Sequence, residues 1–291
     1  IFLYLFFRKS DDFEPLIKEK LTGLVSKASN GLYILRVESI EIDVLASTIS
    51  ATNVSLTPDS ARMLVLDKNF ALPDDIYSGT FKRLDITGIS PTDFINAKDI
   101  SVGDIIINEP DITITHKKRN YNTPDTGNFY NRIAPKNESY AINKLLLKNI
   151  QLLHNNLDKK QSSQLKNLTA VLEDIKIDSS SVHDSTRFLF AKEASMFLKN
   201  YSTTTANKLY NFTIDSIALK PQQGSLLAKN VKLQPIGTKD EFRTKVEFKQ
   251  DRFDIFFDEA IFKQVDWWNL IGNEGIFADS VYLKAGHINV Y

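Results

Sequence analysis

The chain has 291 residues and no cysteine, and its 36 basic residues equal its 36 acidic residues. Hydrophobic residues make up 42% of it, which is typical of a folded protein and too apolar for a disordered one. A formal net charge of zero gives no field that would draw the chain to nucleic acid or to anionic lipid. The lack of cysteine excludes disulfides, thiolate chemistry and cysteine-ligated metals.

The first seven residues are apolar and are followed by Arg8 and Lys9. Seven residues are too few to span a bilayer, which takes about 20. Aromatic residues beside a basic pair are nevertheless typical of the end of a transmembrane helix, so we expect the end of a membrane anchor here. The alternatives are the start of a soluble helix and the remnant of a cleaved signal.

From Ser10 to Asn30, apolar residues follow the spacing of an amphipathic helix. Ser10 can cap the start of this helix, and Gly31 stands where a left-handed residue commonly ends one. Because the apolar stripe leads directly into the first predicted strand, we expect the helix to close one end of a sheet. Lying on the membrane surface is the alternative.

An eight-residue pattern, apolar-x-apolar-x-x-apolar-x-apolar, begins at residues 35, 49, 100, 145, 170, 212, 226 and 276. Strict alternation marks a strand with one apolar face. One extra residue at mid-strand moves the second half to the wrong face unless a β-bulge absorbs it. The two central residues, such as Glu38-Ser39 and Thr52-Asn53, are never large and apolar. Both would therefore point outward from a bend.

If neighbouring strands all bend at the same position along their length, the sheet folds along one line and forms a groove. The predicted fold is accordingly mainly β: an elongated, strongly bent antiparallel sheet forming a repeating β-groove, with an N-terminal amphipathic helix and a few short helices. Hairpin turns are expected at residues 43–48, 108–111 and 284–287, and short helices at residues 185–200 and 261–270. An ordinary sandwich with bent strands is the alternative.

A long internal repeat connects the two halves of the chain. Leu32-Tyr33 matches Leu209-Tyr210 at an offset of 177 residues, and the match continues without a gap to Pro58 and Pro235. Such repetition is typical of stacked architectures. The predicted organisation is residues 1–30 as the end of a membrane anchor plus amphipathic helix, 31–208 as a first β-groove unit, and 209–291 as a second, truncated unit.

No motif for chemistry stands out in the sequence. The four histidines fall in separate, mostly polar segments, and none has a second ligand at a metal-site spacing. There is no nucleophile elbow and no glycine-rich phosphate loop. We therefore expect no catalytic residues, no metal, no cofactor and no enzymatic activity.

The order of these features resembles the AsmA-like family, relatives of TamB among the repeating-β-groove, bridge-like lipid transfer proteins. The likeness is carried by the apolar start, by Ser29-Asn30-Gly31-Leu32-Tyr33, and by the paired phrases at residues 50–58 and 228–235. The resemblance implies an inner-membrane anchor in a bacterial cell envelope, a groove facing the periplasm, and movement of phospholipid between the inner and outer membranes. It supplies no catalytic residues.

The predicted function is that an apolar groove carries phospholipid acyl chains between the two membranes. Its expected partners are a phospholipid or other acyl lipid, the membrane at the N-terminal anchor, and other envelope proteins. The alternative is a membrane-tethered β-sandwich scaffold or binding module for a protein or glycan. The predicted lipid-binding residues are Leu35, Val37, Ile40, Ile42, Ile49, Val54, Leu56, Ile105, Ile107, Leu145, Leu147, Ile150, Leu152, Ile175, Ile177, Phe212, Ile214, Ile217, Leu219, Val231 and Leu233.

Overall fold

The structure is a computed structural model, and most of the chain is described. The described residues are 2–97, 99–122, 139–178, 180–181, 184, 186–205, 207–246, 248, 250–267 and 276–291, with side chains from Phe13 onward.

Most of the described residues lie in strands. The helices are α1 (Phe2–Ala28), α2 (Ser60–Lys68), α3 (Pro91–Asn96) and α4 (Lys239–Thr244). The strands are β1 (Tyr33–Asp43), β2 (Thr48–Pro58), β3 (Asp75–Thr87), β4 (Ile100–Asn108), β5 (Asp111–His116), β6 (Tyr140–Asn156), β7 (Gln161–Ile177), β8 (Ala191–Thr204), β9 (Tyr210–Lys220), β10 (Ser225–Pro235), β11 (Phe253–Lys263) and β12 (Ser280–Val290). The predicted mainly-β class, with an N-terminal helix and a few short helices, is confirmed.

Contacts divide the chain into two units. Unit 1 comprises Ile1–Leu165 and Thr169–Glu193, and unit 2 comprises Lys166–Leu168 and Ala194–Tyr291. In unit 1 the strands follow the order β1-β2-β3-β4-β6, and in unit 2 the order β8-β9-β10-β11-β12. The ladders that join β1 to β5 and those that join β8 to β12 are antiparallel, whereas β4 and β5 both pair with β6 in parallel. The predicted unit boundaries at residues 31 and 209 stay predictions.

Helix α1 covers the apolar face of β1 and β2. Ile17 and Leu21 are buried in one hydrophobic cluster with Val37, Ile40 and Ile49. The helix ends at Ala28, and Gly31 follows with a left-handed φ of 76°. Its expected role in closing one end of the sheet is thus confirmed. No helix among the described residues is long and apolar enough to cross a membrane, and the predicted anchor stays a prediction.

Two of the three predicted hairpin turns are wrong. β4 and β5 do not pair with each other. Both pair with β3 on one side and with β6 on the other, so they continue one another in the sheet with an interruption at Glu109 and Pro110. Glu109 has a φ of 50°, and Pro110 has no N–H to give to a ladder. Likewise β12 runs through residues 284–287, where Ala285 has a φ of 39°. The chain bends at both places without reversing.

The predicted short helix at residues 185–200 is wrong, because residues 191–204 form β8. Of the predicted helix at residues 261–270, residues 261–263 belong to β11, Trp267 is helical, and residues 268–270 lie outside the described residues. In β8 the extra residue at the bend separates Leu198 from Tyr201 by three positions, which imitates the spacing of a helix. The copy of the eight-residue pattern at 276–283 starts before its strand, because β12 begins only at Ser280.

The structure repeats at the offset read from the sequence. β1 (Tyr33–Asp43) and β9 (Tyr210–Lys220) have bounds 177 residues apart, as do β2 and β10. The Asp59 N–H donates to the Leu32 carbonyl at 2.8 Å, and the Ile236 N–H donates to the Leu209 carbonyl at 2.8 Å, which is the same contact one repeat later. The sequence repeat is therefore a structural repeat.

Candidate functional site

A line of residues crosses the strands of each unit at a point where the ladder pairing is interrupted, and we call this line the crease. On β1 and β2 the ladder skips Glu38 and Asn53, which lie opposite each other. The same gap passes from strand to strand in both units. The crease consists of Glu38, Asn53, Lys82, Glu109 and Asn149 in unit 1 and of Asn200, Asp215, Asn230, Asp258 and Ala285 in unit 2.

The backbone is left-handed at several crease positions. This region is disfavoured for residues with a side chain, and asparagine tolerates it best after glycine. Four of the six left-handed crease residues are asparagine, so the asparagine of the central polar pair encodes the bend. The six, with their φ values, are Asn53 (45°), Glu109 (50°), Asn149 (56°), Asn200 (54°), Asn230 (52°) and Ala285 (39°).

The register does not change across the crease. Val37 pairs with Val54 on one side of it, and Ser39 pairs with Thr52 on the other. A conventional bulge sets two residues against one and displaces the partner strand. Here both strands carry the extra residue at the same level. The predicted common level of the bends is confirmed, but the bends are not one-sided bulges. In each antiparallel pair both strands carry an unpaired crease residue, and one of the two residues is left-handed.

Side-chain hydrogen bonds run along the crease. The Asn53 amide donates to the Glu38 carboxylate at 2.5 Å, and the Asn230 amide donates to the Asp215 carboxylate at 2.8 Å, again one repeat apart. These bonds are exposed to solvent. The polar pairs therefore face outward, as predicted from their sequence.

Ion pairs lie on the crease and beside it. Within the crease, Lys82 of β3 bonds to Glu109, which lies between β4 and β5. Beside the crease, the Lys284 ammonium donates to the Glu259 carboxylate at 2.9 Å. The hydrogen bond and charge of Lys284 lower the pKa of Glu259 below its ordinary value. The outer side of the bend is thus charged as well as polar.

Apolar side chains of unit 1 form continuous rows across the strands, parallel to the crease. We call them the apolar rows. Each successive member pairs with the next in the ladders between β1 and β6. On one side of the crease the rows are Ile42, Ile49, Ile86, Ile105, Leu145 and Ile40, Ala51, Leu84, Ile107, Leu147; on the other they are Val37, Val54, Phe81 and Leu35, Leu56, Gly79, Ile112, Leu152.

Unit 2 has the same arrangement across β8 to β12, and most of its row members are apolar. The ladder pairs again connect each member to the next. On one side of the crease the rows are Met196, Leu219, Leu226, Phe262, Val281 and Leu198, Ile217, Ala228, Ala260, Leu283; on the other they are Tyr201, Ile214, Val231, Phe257, Gly286 and Thr203, Phe212, Leu233, Ile255, Ile288.

The rows on the two sides of the crease face the same side of the sheet. Val37 and Ile40 flank the crease on β1, yet both belong to one hydrophobic cluster. In unit 2, Ile214 and Ile217 flank the crease in the same way and share a cluster with Ala228. The inference that apolar positions before and after the polar pair stay on one face is therefore confirmed.

Helix α1 divides the predicted lipid-binding residues into covered and accessible ones. Four of them lie fully buried beneath the helix, with exposed fractions of 1–7%. The covered residues are Val37, Ile40, Ile49 and Val54. Four others are half-buried and belong to none of the hydrophobic clusters of the described residues. These accessible residues are Leu56, Ile107, Leu147 and Leu152.

The remaining predicted residues pack partly in clusters. Leu35, Ile42 and Ile105 border the cluster under α1, and Ile150 is buried. A second cluster, with Phe190 and Ala191, contains Leu145, Ile175 and Ile177. In unit 2 one cluster takes in Phe212, Ile214, Ile217, Leu219 and Val231, while Leu233 packs with Tyr210 and Phe242. Whether lipid contacts any of these residues stays a prediction.

Comparison with known proteins adds one remote structural likeness. No protein-family model and no curated protein matches the sequence. The chain is similar to a solved structure of LptH, the LptA-homologous periplasmic component of the lipopolysaccharide transport device from Pseudomonas aeruginosa, at 7% identity over 89% of this chain and 93% of that one, with a TM-score of 0.13. A TM-score this low does not establish a shared fold. The likeness to the AsmA-like family stays a prediction.

The structure also brings together two histidines that the sequence separates. The His116 and His154 rings stack with centroids 6.4 Å apart, and His116 Nδ1 lies 2.7 Å from an Asp75 oxygen. Parallel pairing of β5 with β6 creates this contact by placing Ile114 beside His154. No sequence motif signals that pairing. Within the described part of the chain, no group of three ligating side chains could hold a metal ion.

Proposed function

We propose that the chain is a lipid-binding protein whose apolar rows hold acyl chains while the crease and the headgroup face water. The observation that carries the proposal is the continuity of the rows from strand to strand in each unit. A tail lying along a row passes from one apolar side chain to the next without meeting a charged one. Transfer is then physical sliding, and no catalytic residue takes part.

The rows are long enough for one tail. Four steps of about 4.8 Å between five neighbouring strands give a row a length of about 19 Å. One leaflet of a bilayer, half of its hydrocarbon core, is about 15 Å thick. Burying a tail gains about 0.8 kcal/mol per CH₂, with about 12 kcal/mol as the upper bound for sixteen carbons. The rows therefore have the right length and chemistry for a tail. In unit 1 the part that α1 leaves uncovered includes Ile107, Leu147 and Leu152.

The finer parts of the proposal extend to location and partners. We propose that the protein is anchored in the inner membrane of a bacterial envelope, faces the periplasm, and passes phospholipid towards the outer membrane with other envelope proteins. The alternative, a β-sandwich binding module, requires a second sheet over the apolar rows. Within each unit the described strands form one series of ladders, and no second sheet occurs among them.

Titration with a fluorescent fatty acid tests the proposal. Leu147 is half-buried in a row of unit 1, and its neighbour Lys148 is exposed. Burying an unsatisfied amide costs about 1–3 kcal/mol, so we expect Leu147→Gln to bind the probe at least about fivefold more weakly. Lys148→Gln should bind like the parent protein.

A matched pair in unit 2 serves as an independent control. Leu219 lies in a row and Lys220 is exposed beside it. Leu219→Gln should weaken probe binding, and Lys220→Gln should leave it unchanged. No saturable binding by the parent protein, or equal binding by the leucine and lysine variants of both pairs, would refute the proposal.

A further inference from the structure

Strand β12 forms an open edge of the sheet in unit 2. It is the last strand in the order, and among the described strands it pairs only with β11. Every residue of β12 after Ser280 is exposed. Its four valine, leucine and isoleucine side chains have exposed fractions of 48–57%, and they are Val281, Leu283, Ile288 and Val290. A long edge strand with exposed apolar side chains is a template for the addition of another strand.

The internal repeat identifies the part of unit 1 that corresponds to β12. The ladder between β3 and β4 recurs 176 residues later as the ladder between β11 and β12, where Val281 takes the place of Ile105. The same offset takes Glu109 to Ala285, and both have a left-handed backbone, with φ values of 50° and 39°. Strand β12 is therefore the counterpart of β4 and β5 together.

In unit 1 a further strand covers the corresponding edge. Strand β6 pairs with β4 and β5 in parallel, which places Leu145 beside Ile105 and Leu152 beside Ile112. The two isoleucines are half-buried there, whereas their counterparts in β12 are exposed. The repeat therefore shows what kind of strand fits against β12.

The backbone bonds of this parallel ladder continue through the crease. The Glu109 N–H donates to the Lys148 carbonyl at 2.9 Å, and the Gln151 N–H donates to the Pro110 carbonyl at 2.8 Å. Both crease residues of the ladder, Glu109 and Asn149, are left-handed, whereas each antiparallel pair contains only one such residue. The left-handed crease residue of β12 therefore fits a parallel strand that has a left-handed residue at the same level.

A second copy of this chain does not offer such a strand. Strand β1, the first in the order, is covered by α1, because the Ile40 N–H donates to the Glu14 carboxylate of this helix at 3.4 Å. A helix along an edge prevents the addition of another strand. Two copies joined through β12 in one sheet, with their rows on one face, would run antiparallel. They would bring two left-handed residues together, which none of the described antiparallel ladders does.

We propose that β12 binds a strand of a partner protein by parallel β-augmentation. The partner strand has the eight-residue pattern of β6, with asparagine or glycine as the second of its two central residues. Main-chain hydrogen bonds provide the affinity, and alternate side chains provide the specificity. The apolar residues of the partner strand extend the rows of unit 2 beyond Val281 and Ile288. This inference goes beyond lipid binding and does not depend on it.

Disulfide trapping tests the direction and register of the docked strand. The probe is a synthetic peptide with the sequence of β6, residues 140–156. Because the chain has no cysteine, Val281→Cys and Ile288→Cys each introduce a single thiol. Under mild oxidation Val281→Cys should link to the peptide variant Leu145→Cys, and Ile288→Cys should link to Leu152→Cys, since paired residues lie within disulfide reach. The exchanged combinations should not link, because a parallel register places their residues about 23 Å apart.

Methylation of single peptide N–H groups tests whether main-chain bonds hold the strand. The Gln151 N–H of β6 donates to the Pro110 carbonyl, whose counterpart in β12 is the carbonyl of Gly286. A fluorescein-labelled peptide with N-methyl-Gln151 should therefore bind the full chain about two- to tenfold more weakly in an anisotropy titration, which is the effect of one lost hydrogen bond. The peptide with N-methyl-Leu152 should bind like the unmethylated one, because successive N–H groups of an extended strand point to opposite edges.

Three results would overturn the inference. They are the absence of saturable peptide binding, equal trapping of the matched and exchanged cysteine pairs, and equal affinity for the two methylated peptides. A dimer of the free protein in analytical ultracentrifugation that the peptide dissociates would also overturn it, because the edge would then belong to a second copy. In each of these cases retained binding of the fluorescent fatty acid leaves the proposed function standing.

Discussion

The left-handed asparagines of the crease make a sharp prediction at Asn230. This residue has a φ of 52°, and its amide donates to Asp215 at 2.8 Å. Alanine at this position should lose stability in two ways. A left-handed backbone costs a residue with a Cβ about 1–2 kcal/mol, part of which asparagine avoids, and a lost hydrogen bond costs about 0.5–1.5 kcal/mol. For Asn230→Ala we expect a total loss of about 2 kcal/mol.

Glycine at the same position separates the two contributions. Asn230→Gly also loses the hydrogen bond to Asp215, but glycine adopts the left-handed backbone freely. We therefore expect Asn230→Gly to lose about 1 kcal/mol and to be more stable than Asn230→Ala. In an ordinary strand the order is the reverse, because glycine loses more conformational freedom on folding than alanine does.

Urea denaturation followed by tryptophan fluorescence measures this order, since Trp267 packs in the hydrophobic cluster of unit 2. Asn289 provides the control: it is an exposed strand residue of the same unit and has no left-handed φ. Asn289→Ala should be at least as stable as Asn289→Gly. If the alanine variant is the more stable one at Asn230 as well, the left-handed kink does not set the crease.

Other sites give further expectations. Ile17 is fully buried under the sheet, so Ile17→Ala should lower the free energy of unfolding by about 2–5 kcal/mol in the same assay; a loss below 1 kcal/mol would contradict the docking of α1. Gly79→Ala would place a Cβ 2.8 Å from the Asp111 carbonyl, and its urea midpoint should fall by more than that of Gly23→Ala, where nothing is within 4 Å. Hydrogen bonds from Ser180 and Ser181 hold the pKa of Asp178 well below its ordinary value. The advantage of the parent over Asp178→Asn should therefore be constant at neutral pH and decrease progressively as the pH falls below about 4, and a constant difference down to pH 2 would contradict it.

The crease could be predicted from the sequence because it leaves a mark in the alternation. Glu38-Ser39 and Thr52-Asn53 each insert one extra polar residue between apolar positions of a strand. An unabsorbed insertion would turn half of the strand outward, so a bend was the consistent solution. The position of the bend and the inward face followed from the same pattern. The left-handed asparagine that makes the bend was not predicted, although asparagine recurs in the polar pairs.

The wrongly predicted hairpin turns contain the same residue types as the bends that the structure shows. Residues 108–111 contain Asn, Pro and Asp, which favour both a hairpin turn and a left-handed kink. Only the partner strands decide between the two, and β6 reaches β4 and β5 in parallel through a long connection. The residues at and around 108–111 do not indicate which strands will pair there.

The accessible part of the candidate site also depends on tertiary structure. Val37 and Leu147 belong to the same kind of pattern and both lie in apolar rows. Docking of α1 buries Val37 to an exposed fraction of 4%, whereas Leu147 is half-buried. The sequence predicted that the helix closes one end of the sheet. It could not predict how many strands the helix covers.

Photochemical crosslinking tests most directly whether the apolar rows hold a tail. A diazirine-labelled fatty acid is irradiated on the full chain, and the modified residues are mapped by tandem mass spectrometry, with unlabelled oleate as competitor. We expect labels on accessible row residues such as Ile107, Leu147 and Leu152, lost on competition, and none on Lys148 or Asp215 of the outer face. Labels spread equally over both faces, or labelling that oleate does not reduce, would contradict lipid binding by the rows.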